Sequence, residues 1–255
     1  MAGPGNGDNP GVPKAPPLFV VEGSLEAGES VTLDARARRH ARARRLAEGD
    51  AVRLTDGAGG EAEGTVERLG RDACDVRVGR VRRSGGASGV ELLVSAVRLP
   101  RLSWIVEKAT ELGAGAVTVV ASERAQRERV ESAARDRERL ARIAREAAEQ
   151  SGQTAPPSIA GPVAASAVLP RAASLASAIL LDRSGEPFPE SLRAPAAIWV
   201  GPEGGWTAGE LAAAERSGWR RIRLPGATLR TETAAIAGLV LALRAIDTAA
   251  RAGGQ

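Results

Sequence analysis

Tyrosine is absent from this chain, and cysteine, histidine and methionine occur once each. A single cysteine, Cys74, excludes an intrachain disulfide framework and any cysteine-built metal centre. The lone His40 adds nothing to a metal site, so no metal is expected. Aromatic residues make up only 2% of the chain, and the core has to be built from Ala, Val, Leu and Ile. No apolar run is read as reaching the roughly 20 residues of a membrane span, so no membrane partner is expected. Residues 1–17, rich in Gly and Pro, have no apolar stretch that would make a signal peptide. They are expected to form a disordered tail, and the cytoplasm is the expected location.

What is present suits a globular protein. The 255 residues are 43% hydrophobic, enough for one large domain or two ordinary ones. The formal net charge is only +4, yet the isoelectric point is near 10.3. The two agree because nearly all the cations are Arg and no Tyr titrates in the alkaline range. A modest positive balance permits a nucleic-acid partner without establishing one. Heavy use of Ala, Arg and Gly also resembles coding bias, so isolated Arg residues carry little weight.

The texture changes along the chain. Residues 18–23 read as a short strand and 35–50 as a basic segment with a helix ending near Gly49. AVRLTDG, EAEGTVERLG and ACDVRVGRV then alternate apolar and polar positions, as a small antiparallel sheet or barrel does. SGGASG, 84–89, reads as a linker. From Val90 onward, apolar strands alternate with helices, the pattern of a parallel α/β sheet. A long Arg/Glu-rich helix is expected from about Arg129 to Ser151, and a largely apolar one closes the chain.

Four loops carry the functional argument. Gly57, Gly59 and Ala62 match a dinucleotide-binding fingerprint, but a strand and not a helix follows, so a hairpin turn is the better reading. GPEGGW, from Gly201, directly follows the apolar strand AAIWV. Thr207 is then a helix N-cap, with Glu210 completing a capping box. This places the loop at the carboxyl edge of the sheet, where open α/β sheets bind ligands. LPGATLRTETA, from Leu224, is a second loop at that edge, with Thr231 as the expected N-cap of the last helix. Arg230 at a helix start opposes the macrodipole, which suggests an anionic partner or an ion pair with Glu232. EQSGQT, from Glu149, alone reads as a helix C-cap.

VEKATELG, EAAEQSGQT, VGPEGGW and LRTETA, in this order, resemble the ribosomal RNA small subunit methyltransferase E family. That family belongs to the SPOUT superfamily and methylates N3 of a uridine in small-subunit (16S) ribosomal RNA using S-adenosylmethionine. The likeness runs from Leu18 to the end of the chain. It implies a PUA-like RNA-binding β-barrel over 18–85 and an α/β methyltransferase domain over 90–255. It also implies a deep trefoil knot, a homodimer, and ribosomal RNA or the assembled small subunit as substrate. Carried over by position, the cofactor pocket is implied for Leu181, Gly201, Pro202, Gly204, Gly205, Leu224, Thr228, Leu229 and Arg230. The chain also departs from the pattern. Gln153 stands where the family has Arg, Ala227 replaces another Arg, and Arg98 and Arg101 stand near a missing Lys.

A methyl group on a sulfonium is already activated, so the enzyme has to align the uracil N3 and manage its proton. Arg230 is the candidate for stabilising charge on the ring oxygens. Glu232 or Glu203 is the candidate to accept the proton or to hold Arg230. Arg38, Arg42 and Arg45 of the basic segment are candidate phosphate contacts, with a solvated helix face as the alternative. Two other functions stay open: ribose 2′-hydroxyl methylation of RNA, and a non-catalytic RNA-binding factor in ribosome assembly.

Overall fold

The computed structural model describes residues 16–57, 59–83 and 88–252. Most of the expected tail (1–17) and of the expected linker (84–89) lies outside these residues. The remainder forms two sheets with separate cores.

The first sheet has five strands in the order β1-β3-β4-β5-β2. They are β1 (Leu18–Val20), β2 (Ser30–Thr32), β3 (Ala51–Thr55), β4 (Gly60–Leu69) and β5 (Cys74–Arg83). The alternation read from the sequence puts Ala62, Val66, Val76 and Val78 inside, together with Phe19 and Leu54. The sheet is mixed and not purely antiparallel, because β1 runs parallel to β3. Gly57 and Gly59, both at positive φ, make the turn between β3 and β4, as a hairpin requires. Helix α1 (Ala35–Ala43) is capped by Asp34, whose carboxylate accepts from the Ala37 amide. It stops well before Gly49, at Arg44, and Arg45 takes a left-handed φ of 58°.

The second sheet has six strands, all parallel, in the order β11-β9-β10-β6-β7-β8. They are β6 (Val90–Ser95), β7 (Ala116–Ala121), β8 (Ser158–Ala164), β9 (Ser177–Pro187), β10 (Ala196–Val200) and β11 (Arg220–Arg223). Every residue of β10 is buried, as in a central strand covered on both faces. The helices are α2 (Leu99–Glu111), α3 (Arg127–Arg135), α4 (Arg137–Ser151), the short α5 (Ala165–Val168), α6 (Ala208–Arg216) and α7 (Thr231–Ala252).

Three further expectations change. The single helix expected from about Arg129 to Ser151 is two, α3 and α4, broken at Asp136, whose ψ of 11° leaves the helical range. β8 was not anticipated, because Gly161 and Pro162 interrupt it. At the sheet's edge a Pro is tolerated, since one side of the strand needs no ladder bond. The reading that no segment reaches membrane-span length is also corrected: Thr231–Arg251 has the length and a mean hydropathy of 1.5. In this fold it packs one side against the sheet, burying Ala235, Leu239, Ala242 and Ala245. Gly238 permits that approach, because a Cβ there would lie 2.9 Å from Leu181 and 3.1 Å from Ile198.

Candidate active site

The chain runs outward from β6 in one direction through β7 and β8. It returns on the other side of β6 through β9, β10 and β11. The order therefore reverses between β6 and β10, the crevice where open α/β sheets hold ligands. The loops leaving β6, β7 and β10 all emerge at this carboxyl edge. Buried Ser95 and Ser122, at the ends of β6 and β7, share a hydroxyl hydrogen bond that ties the edge together.

The 201–207 loop is held from three sides. Thr207 accepts from the Glu210 amide (3.1 Å) and the Glu210 carboxylate accepts from the Thr207 amide (3.0 Å), the capping box expected from the sequence. The other oxygen of Glu210 accepts from the Glu123 amide at 2.9 Å, joining the loop after β7 to the start of α6. Trp206 folds back under Gly201 and donates through Nε1 to the Leu181 carbonyl (2.8 Å). Any Cβ on Gly201 would come within 2.8 Å of that indole, so glycine is required by packing. Gly205 has a φ of +70° with nothing within 4 Å of a would-be Cβ, while a Cβ on Gly204 would meet Arg124 at 3.4 Å.

The last loop reaches the same place. Thr231 was expected to cap α7; instead its hydroxyl donates to the Gly201 carbonyl (3.2 Å). Arg230 takes the cap position through its backbone, whose carbonyl accepts from Ala234 (2.8 Å). Leu181, Gly201 and Thr231, from three separate segments, are thus brought together. Pro202 is buried, Leu224 and Leu229 are half-buried, and Thr228 and Arg230 are exposed.

The charges are arranged differently from the sequence reading. Arg230 makes no ion pair with Glu232 among the described residues. Glu232 instead lies beside Arg101, with Nε 3.5 Å from Oε1. Arg101 also pairs with Glu203, which accepts from Arg129 as well (2.7 Å). The Arg129 hydrogen bond chiefly holds the Glu203 carboxyl below its ordinary range, against burial, helped by the charges of Arg129, Arg101 and Arg98. Glu203 is accordingly a weaker base than an ordinary carboxylate. Arg101 and Arg129 were not singled out as site residues. Their partners lie 102 and 74 positions away, and no local spacing announces such pairs.

In the first domain, Arg38 donates to the Asp72 carbonyl (2.6 Å), whereas Arg42 and Arg45 are exposed. Arg42, Leu46, Leu69, Gly70 and Arg71 line an open groove. No group of three metal-ligating side chains occurs among the described residues.

Comparison with known proteins adds a second line of argument. A family model for an RNA methyltransferase domain matches residues 87–243, and one for an RNA methyltransferase PUA domain matches residues 33–79. The ribosomal RNA small subunit methyltransferase E of Mycobacterium tuberculosis is 31% identical over 239 residues, covering 87% of this chain and 89% of that protein. The protein of the same name from Aquifex aeolicus is 35% identical over 145 residues, covering 55% of this chain and 61% of its own length. Among solved structures, a Legionella pneumophila methyltransferase with bound SAM superposes with a TM-score of 0.75 at 25% identity, covering 89% of this chain and 97% of that one. A probable rRNA methyltransferase from Porphyromonas gingivalis gives 0.73 at 27% identity, covering 88% and 95%.

Proposed function

The chain belongs to the RNA methyltransferase family, with a PUA domain ahead of the methyltransferase domain, and from that premise we propose that it methylates N3 of a uridine in small-subunit ribosomal RNA, using S-adenosylmethionine. The observation that carries this is the meeting of three segments at the sheet's carboxyl edge, tied by the Trp206–Leu181 and Thr231–Gly201 hydrogen bonds. That is where a cofactor is held in folds of this type.

The residues fit S-adenosylmethionine. Gly205 leaves open space beside a bare backbone, half-buried Leu229 offers apolar surface for a purine, and the 201–205 loop supplies backbone polar groups. When bound, the cofactor supplies an activated methyl group. The protein's own part is to orient the base and manage its proton. Arg230, exposed and without a side-chain partner among the described residues, is available to the ring oxygens as charge develops there. Glu232 has a buried carboxylate oxygen, Oε2, with no hydrogen-bond partner among the described residues, which suits it to accept from the N3–H. Glu203, held between Arg101 and Arg129, is less suited to that role.

The RNA would also touch the first domain, through Arg42 and Arg45 and the groove beside Arg71. The reading further includes a cytoplasmic location, a C-terminal trefoil knot and a homodimer. Val240 on α7 and Trp104 on α2 are large apolar side chains left exposed, which supports a covered face there.

Incubating the purified protein with small subunits and S-adenosylmethionine, then analysing nucleosides by mass spectrometry, tests the reading. We expect 3-methyluridine. A methylated ribose would transfer the protein to 2′-hydroxyl chemistry. Absence of any methylated nucleoside with intact RNA binding would make it an assembly factor.

A further inference from the structure

Four charged side chains from four separate elements form one chain across the carboxyl edge. Arg129, on the first turn of α3, donates through Nη1 to Glu203 Oε2 (2.7 Å). Glu203 Oε1 accepts from Nη1 of Arg101, on the first turn of α2. Arg101 Nε lies 3.5 Å from Glu232 Oε1 at the start of α7. The signs alternate, and Arg101, on the helix after β6, reaches across the β6/β10 crevice to carboxylates that follow β10 and β11. The last atom of this charged series, Glu232 Oε2, is buried and has no hydrogen-bond partner among the described residues.

An orphaned buried acceptor is costly, because it has lost water and gained nothing. A carboxylate with one oxygen clamped and the other vacant is a half-filled binding group, and the vacancy accepts only an N–H or O–H donor. We propose that Arg101 is a positioning residue for methyl transfer. Backed by Glu203 and Arg129, it clamps Glu232 Oε1 so that Oε2 is held ready for the N–H of the target base. This rests on the functional reading above and adds the residues that make Glu232 fit for its part in it.

The arrangement needs Arg and not merely a positive charge. A guanidinium offers separate nitrogens to two carboxylates at a fixed angle, whereas an ammonium is a single point. The pairs are also unsuited to a purely structural role. Arg101 and Glu203 remain about one-third exposed, and surface ion pairs contribute little to stability. Removing either should leave the protein folded.

Single-turnover methylation of small subunits by the full-length protein, with calorimetry for S-adenosylmethionine, tests this. Arg101→Gln should slow the reaction by about 10²-fold, the scale of a misplaced reacting group, without weakening cofactor binding. Arg101→Lys should not restore the rate, because an ammonium cannot offer separate nitrogens to both carboxylates. Glu203→Gln should give a partial loss, and the double variant should be no slower than Arg101→Gln alone. A normal rate in Arg101→Gln or Arg101→Lys, or a parallel loss of cofactor affinity, would overturn the proposal. Wild type that bound the cofactor yet methylated nothing would overturn the functional reading, and this inference with it.

Discussion

At the junction of the two domains, Arg36 and His40 of the first domain meet Glu149 of the second, with Arg44 beside His40. At the carboxyl edge, Arg101 and Arg129 meet Glu203 and Glu232. Both clusters mix guanidinium and carboxylate groups, and both join segments far apart in sequence. They differ in completeness. The Glu149 side chain is only 4% exposed, and it is met by Arg36 Nη2 at 2.5 Å and His40 Nδ1 at 3.8 Å. Arg36 also reaches Glu146 (3.4 Å), and His40 Nε2 accepts from Arg44 (3.0 Å). Among the described residues, none of these side chains leaves a buried polar atom without a partner, while the edge cluster leaves two, Glu232 Oε2 and Arg129 Nε. A saturated buried network specifies a geometry; an unsaturated one has capacity left for a ligand.

The sharpest way to break this contrast is at Arg230, the edge cation with no side-chain partner among the described residues. If it serves the transition state, Arg230→Ala should lower turnover by about 10²-fold or more, the scale of losing one charge-stabilising donor. Cofactor affinity should change far less. Single-turnover rates with saturating cofactor measure this. Full activity would reduce the loop to scaffolding.

The junction should respond in the opposite way. Glu149→Gln keeps the shape and removes the charge that Arg36 and His40 face. Hydrogen bonds to charged groups contribute about 1.5–3 kcal/mol, so the loss should appear in urea unfolding, with cofactor affinity unchanged. Wild-type stability in Glu149→Gln would mean that the junction does not fix the domains through this pair.

The contrast also shows how far the sequence could be read. The capping box at Thr207 and Glu210, the Gly57 turn and the buried strand before Gly201 were legible because each rests on neighbours a few residues apart. EQSGQT was legible as a helix end, and Gly152 does close α4 in a left-handed conformation. Its larger role was hidden. Glu149 meets α1, the Thr154 carbonyl accepts from Thr55 of the first sheet, and Gln153 donates to the Glu111 carbonyl (3.0 Å). The Arg101 network escaped for the same reason, since nothing in LPRLSWIVEKATELG says which distant carboxylate an Arg will find. β8 escaped because Pro162 reads as a breaker unless the strand is known to lie at an edge.

The basic segment divides along the same line. Arg36 and Arg38 are spent on internal partners, leaving Arg42 and Arg45 for phosphates. Replacing both with Gln should lower the salt slope of RNA affinity by roughly 0.7–0.9 for each phosphate that is no longer neutralised. Gln keeps the left-handed position at Arg45 occupied by a side chain, so backbone strain does not change. An unaltered slope from filter binding at several salt concentrations would remove α1 from the RNA interface.

The smallest effect is expected at His40. Burial lowers its pKa below the ordinary 6.5, and Arg44 and then Arg36 add to that, while Glu149 opposes it. The hydrogen bond from Arg44 occupies Nε2 as an acceptor, so the neutral ring carries its proton on Nδ1, toward Glu149. Folding therefore disfavours protonation. Above pH 6.5 neither state binds the proton and the contribution is fully present. As pH falls through 6.5 toward the lower folded value, the unfolded chain takes up the proton first and the contribution is lost. Wild type should thus lose more stability between pH 7.5 and pH 5.5 than His40→Gln, whose side-chain carbonyl still accepts from Arg44 but does not titrate. Urea midpoints of the two proteins at both pH values measure the difference. If wild type instead gained on the variant in acid, the imidazolium–Glu149 ion pair would outweigh burial, and the junction would be the unfinished cluster.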